Sequence, residues 1–208
     1  MEHPVLNAIR REGFTPLGWF EPQDMGETRF LILIGNAGPD MFRRFARSGI
    51  GTMDDWTKRV VGRLAGDLGA KAAYPFEKPY LPFQHWARKA GMGHPSPLGL
   101  NVHHIYGLWH AFRAALLFPV AFDLPRASAS APACATCEGK PCLHACPVSA
   151  FDGTSYHVDA CATHLHGENT CMENGCQARL ACPVGVGYRY EQPQIQFHMK
   201  AFKGAHPQ

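Results

Sequence analysis

The stretch Cys134-Ala-Thr-Cys137-Glu-Gly-Lys-Pro-Cys142-Leu-His-Ala-Cys146-Pro147 decides how the last third of this chain folds, and a second stretch repeats its ending. The second runs Cys161-x9-Cys171-x4-Cys176-x5-Cys182-Pro183, so Ala-Cys-Pro-Val stands at 145–148 and again at 181–184. All 8 cysteines lie in these two runs, and residues 1–133 contain none. They divide into two sets of four, the number of soft thiolates that a structural zinc ion or an iron–sulfur cluster takes.

A cysteine run whose last member precedes a proline resembles the ligand pattern of bacterial two-cluster ferredoxins, in which that last thiolate crosses to the other cluster. The resemblance implies one [4Fe–4S] cluster on Cys134, Cys137, Cys142 and Cys182, and another on Cys161, Cys171, Cys176 and Cys146. The spacings here are looser than the tight ferredoxin pattern. Two other readings compete: structural zinc in two four-cysteine sites, which explains the count but not the repeated Cys-Pro endings, and a secreted disulfide framework. Against disulfides, a chain of 208 residues can bury its own core, and Met1-Glu-His-Pro-Val-Leu-Asn7 has no signal-peptide apolar region. A reducing cytoplasm is the expected setting.

The cysteine distribution predicts two domains, 1–130 and 131–208, joined by the small, proline-containing segment 123–133. Phe30-Leu-Ile-Leu-Ile34 followed by Gly35-Asn-Ala-Gly-Pro39 reads as a strand buried on both faces and then a turn. Pro39 opens a helix with Met41, Phe42 and Phe45 on one side and Arg43, Arg44 and Arg47 on the other. Trp56, Val60, Val61, Leu64, Ala65 and Leu68 recur at helical spacing before Gly69. A short strand near 71–75, a helix near 83–91 and a strand near 112–119 complete an α/β layer with a small sheet. No apolar stretch reaches the roughly 18 residues of a membrane span, so no membrane partner is expected.

Residues 1–133 hold 15 Lys/Arg against 11 Asp/Glu, and 134–208 hold 5 against 6. Arg10-Arg11 and Arg43-Arg44 are isolated pairs of the kind that sits on solvated helix faces, and no basic run asks for nucleic acid. Between Tyr74 and Arg113, five prolines are interleaved with His85, His94, His103 and His104 and with Tyr80, Phe83, Trp86, Tyr106 and Trp109. Such a segment suits a pocket wall, with ordinary packing as the alternative for any single residue.

These residues resemble the cobalamin-dependent iron–sulfur reductases, which include epoxyqueuosine reductase and the reductive dehalogenases. Ala90-Gly-Met-Gly93 is similar to that family's Ala-Gly-Leu-Gly, Tyr106-Gly-Leu-Trp109 to its Phe-Gly-Ser-Trp, and Val158-Asp-Ala-Cys161 to its solitary-cysteine segment. Tyr106 through Arg113 also resembles a stretch of the cobalamin-processing decyanase and trafficking chaperone. The resemblance implies a nitroreductase-like, corrinoid-binding α/β domain followed by a two-cluster ferredoxin-like domain. It implies corrinoid contacts at His103, Tyr106, Trp109 and Arg113, with no protein histidine on cobalt. Glu77 falls where the epoxyqueuosine reductases carry a proton-donating aspartate, a role that needs a raised pKa, which burial among Tyr74, Phe76 and Tyr80 could provide; the alternative is a solvated carboxylate next to Lys78.

The function so implied is transfer of single electrons from two clusters to bound cobalamin, for reduction of a small substrate or of the cobalamin itself, with a flavoprotein or ferredoxin as donor. A non-catalytic electron carrier and a cobalamin-trafficking protein are the alternatives, and the nitroreductase-like fold is shared with flavin enzymes. The family's Trp-Ile-Gly-Lys is replaced here by His94-Pro-Ser-Pro97, and its helical-repeat extension has no counterpart in this sequence. On those grounds no nucleic-acid partner is expected.

Overall fold

The structure is a computed structural model that describes residues 3–125 and 131–207. In chain order its elements begin with α1 (Pro4–Arg11), β1 (Thr15–Phe20), β2 (Phe30–Ala37), α2 (Asp40–Arg47), α3 (Met53–Asp67), β3 (Lys71–Ala73) and α4 (Phe83–Lys89). They continue with β4 (His94–Pro95), β5 (Asn101–Val102), β6 (His110–Phe118), α5 (Pro141–His144), α6 (Val158–His166), α7 (Cys171–Asn174), α8 (Gln177–Leu180) and α9 (Gln192–Ala205). Two compact units result: Met1–Met92 with His110–Ser130, and Gly93–Trp109 with Ala131–Gln208. This differs from the expected division in one segment, because 93–109 belongs to the cysteine-bearing unit. The expected connection at 123–133 lies partly, at 126–130, outside the described residues.

The first unit is a mixed α/β layer on a small antiparallel sheet of order β1-β2-β6-β3. Its centre is the apolar run read from the sequence. β2 lies between two strands and is buried from Phe30 to Asn36, as a strand covered on both faces must be. α2 buries Met41, Phe42 and Phe45 and leaves its arginines exposed, and α3 buries Trp56, Val61, Leu64 and Ala65. Thr52 caps α3 by accepting from the Asp55 amide at 3.0 Å, and Gly69, at φ +66°, follows its end. Two elements have no counterpart in the expectations, α1 and β1. The periodicity of β1 is broken by Pro16 and by Gly18, where its pairing with β2 shifts register.

The second unit is built from short helices, one longer helix and a two-residue strand pair, β4-β5. Its core is Leu98, Val102, Leu108, Ala150, Phe151, Ala178 and Cys182. Against it pack Cys134, Cys142, Cys146, Cys161 and Cys176. Sulfur thus stands where a larger domain would place leucine. Among the described residues no helix is long and apolar enough to cross a membrane.

Candidate metal centres

Cys134 and Cys137 come from the loop before α5, Cys142 from the first turn of α5, and Cys182 from just beyond α8. All four line one cavity of about 320 Å³, counting the open space at its mouth. Its remaining walls are mostly apolar, with Pro97, Pro141 and Pro183 among them, and the one charged residue of the lining is Lys140. Burial raises the Cys134 thiol above its ordinary value, and the neighbouring sulfurs of Cys182, Cys142 and Cys137 raise it further. The same causes act on Cys142, where Cys182 follows burial. Thiols so raised, as at Cys134 and Cys142, need a strongly positive group beside them to become thiolates.

The other four cysteines form a second neighbourhood. Cys176 is raised by burial and then by Cys161 and Cys146, and Cys171 by burial, Cys146 and Cys161. Cys146 accepts the Ala150 amide at 3.4 Å, and His164 Nε2 lies 3.6 Å from Cys171 Sγ. The structure therefore places the last cysteine of each run with the first three of the other. Among the described residues no three His, Cys, Asp or Glu side chains converge closely enough for a single metal ion. Of the other histidines near the runs, His157 meets Asp152 at 3.1 Å and His166 meets the His206 carbonyl at 2.9 Å.

A smaller cavity of about 290 Å³ borders Cys176 and is walled by Trp109, Arg179, Tyr190 and His198. The Arg179 guanidinium lies 4.6 Å from the centres of both the Trp109 and Tyr190 rings and donates through Nε to the Leu108 carbonyl at 3.0 Å. Trp109 Nε1 is buried without a hydrogen-bond partner, as are both amide atoms of the fully buried Gln194 on α9. Sequence reading missed Arg179, whose only signal is its position three residues after a cysteine.

The loop carrying Tyr106-Gly-Leu-Trp109 is pinned to the last cysteine's loop. Gly107 has φ +57°, and a Cβ there would stand 2.0 Å from the Val184 carbonyl oxygen, so only glycine fits. This contact draws 93–109 into the second unit.

Of the expected corrinoid contacts, His103, Tyr106 and Trp109 lie in the second unit and Arg113 in the first. Trp109 is the wall of the cavity beside Cys176. His103, almost fully buried, accepts the Ile105 and Tyr106 amides on Nδ1 at 3.0 and 3.3 Å and so holds a turn. Tyr106 packs edge-on to Tyr188 with ring centres 4.8 Å apart. Arg113 belongs to the first unit, where its Nη2 donates to Asp54 at 2.5 Å and to Thr57 at 3.2 Å. Glu77 is not buried: its side chain is 43% exposed and pairs with Lys58 at 2.6 Å. Tyr80, expected to cover it, is 68% exposed.

No protein-family model matches the chain, and no curated protein matches it in sequence. Solved structures do. A selenomethionine-labelled epoxyqueuosine reductase aligns at TM-score 0.52 and 14% identity over 91% of this chain and 68% of its own. The epoxyqueuosine reductase of Streptococcus thermophilus aligns at TM-score 0.55 and 16% identity, over 90% of this chain and 66% of its own. Epoxyqueuosine reductase with an epoxyqueuosine-modified tRNA stem loop aligns at TM-score 0.53 and 14% identity, over 91% of this chain and 68% of that one. The last of these overturns the expectation of no nucleic-acid partner, since a protein of this fold takes RNA; the charge of a linear sequence does not report which arginines a fold brings together. The chain spans about two thirds of the length of these neighbours, and over nine tenths of its own length it has their fold.

Proposed function

We propose that the protein is an iron–sulfur oxidoreductase holding two [4Fe–4S] clusters, one on Cys134, Cys137, Cys142 and Cys182 and the other on Cys146, Cys161, Cys171 and Cys176. The observation that carries this reading is the exchange of the two proline-flanked cysteines between the runs. When bound, the clusters supply single electrons. The chain's own work is to hold them, to keep water away through buried Cys171 and Cys182, and to tune them with donors such as the Ala150 amide on Cys146. Lys140 beside the first set favours the thiolate state. The acceptor we propose is cobalamin, on the resemblance of 90–93 and 106–109 to the cobalamin-dependent reductases. None of its contacts is assigned, because His103, Tyr106, Trp109 and Arg113 are engaged within the protein. Glu77, part-exposed and paired with Lys58, is given no proton-donor role. By likeness to the neighbour bound to a stem loop, the substrate class is a modified base in RNA, reduced in a cytoplasmic setting with a flavoprotein or ferredoxin as donor.

Anaerobic reconstitution should load roughly eight irons per chain. In electron paramagnetic resonance, Cys182→Ser and Cys134→Ser should lose the same cluster signal, and Cys146→Ser should lose the one that Cys161→Ser loses. Pairing of the Cys146→Ser spectrum with that of Cys134→Ser would sink the exchange. Titration with cob(II)alamin then tests the acceptor: a stoichiometric base-off cobalt signal supports it, whereas intact clusters with unbound cobalamin would leave an electron carrier.

A further inference from the structure

The two arginine pairs that the sequence keeps apart meet in the first unit. Arg10 stands in the last turn of α1, and Arg43, Arg44 and Arg47 on the exposed side of α2. All four line one cleft of about 1010 Å³, counting the open space at its mouth, with Thr15 and a single carboxylate, Asp40. Four guanidinium groups against one carboxylate give the lining a formal charge of 4 − 1 = +3, equal to the net charge of the whole chain.

The helix macrodipole explains a basic residue at the end of each helix taken singly. It does not explain why both helices direct theirs into a shared concavity. Arg44 shows that the concavity is built: its Nη1 donates to the Arg11 carbonyl at 2.8 Å, and its Cδ occupies the space that a Cβ on Gly13 would need, 2.3 Å away. Arg44 thereby ties α2 to the end of α1. Arg43 meets Asp40 at 2.9 Å, so one of the four positive charges is offset within the cleft.

We propose that this cleft binds a run of adjacent phosphates. Guanidinium forks match phosphate oxygens two at a time, and a net excess of three positive charges spread over about 1010 Å³ is more than one carboxylate or one phosphate requires. A free oligophosphate and a nucleic-acid backbone both present that chemistry. The inference does not depend on the cysteines, and its test needs neither clusters nor turnover.

The test is fluorescence anisotropy of the full chain with a labelled single-stranded RNA 12-mer, in competition with inorganic tripolyphosphate, at several salt concentrations. Arg43→Gln/Arg47→Gln should weaken RNA binding at least about tenfold at low salt and reduce the salt slope by roughly 1.4, two phosphate contacts at about 0.7 each. Arg10→Gln on the other wall should act in the same direction, and Arg88→Gln/Lys89→Gln, which removes the same charge from α4, should change little. Equal displacement by tripolyphosphate would identify a free oligophosphate as the ligand, and displacement only by RNA the backbone. Equal loss in the α4 variant, or binding indifferent to the cleft arginines, would overturn the proposal.

Discussion

The two units of this chain solve the problem of a core in opposite ways. The first buries aliphatic and aromatic side chains in quantity: Leu31, Ile32, Leu33 and Ile34 of β2 and Leu116 of β6 are fully enclosed, and Phe14 stacks on Trp56 with ring centres 5.2 Å apart. At roughly 1.5–3 kcal/mol for each such side chain buried, it has its own reason to fold. The second unit gathers a handful of apolar residues around sulfur. A core with so few apolar residues gains from staples. The difference teaches that, on the function proposed above, the cysteines of the second unit would serve its structure as well as its chemistry, since a bound cluster converts ligand binding directly into folding free energy.

The largest expected effect follows from that contrast. Removing iron with a chelator under oxidising conditions should abolish amide protection throughout α6–α9 and leave β2 and β6 protected. Hydrogen exchange read by mass spectrometry checks this, and equal loss in both units would erase the distinction. The reciprocal experiment is Leu33→Ala, which opens a cavity at the centre of the sheet and should cost about 2–5 kcal/mol of the first unit's stability. Denaturant unfolding should show the loss there, with the iron content of the folded protein unchanged.

Smaller and more local is Gly107→Ala. A strained φ alone costs about 1–3 kcal/mol, and a methyl group 2.0 Å from the Val184 carbonyl oxygen would force the Cys182 loop aside. The cluster that Cys182 serves should reconstitute poorly, while the signal of the other persists. Smallest of all is Glu77→Gln. The Lys58 pKa, raised by Glu77, should fall toward its ordinary value in an NMR titration, and the melting temperature should not move. Reduction lost in this variant with stability intact would return Glu77 to the chemistry.

Much of the first unit was legible because burial imposes periodicity. The apolar run 30–34 had to be a two-sided strand, and the alternation of Met41, Phe42 and Phe45 with arginines had to be an amphipathic helix. β1 was not legible: Pro16 and Gly18 break its pattern, and its membership in the sheet comes from pairing with β2. The resemblance at 90–93 and 106–109 pointed to a fold that the structural neighbours share; the roles it implied for His103, Tyr106, Trp109 and Arg113 are a matter of chemistry that a fold alone does not decide.

By itself the sequence determined which residues are ligand-grade, because thiolate count, spacing and the two Cys-Pro endings are properties of the linear chain. It also determined the central strand and the helices that follow it, in order, because apolar periodicity is local. Only the tertiary structure decided that 93–109 belongs with the cysteines, that Glu77 meets a lysine in place of an apolar cover, and that Arg10 shares one cleft with Arg43, Arg44 and Arg47. Those are long-range contacts, set by backbone approaches such as Gly107 on Val184 and by the Arg44 tie between α1 and α2. No window of sequence contains both partners of such a contact.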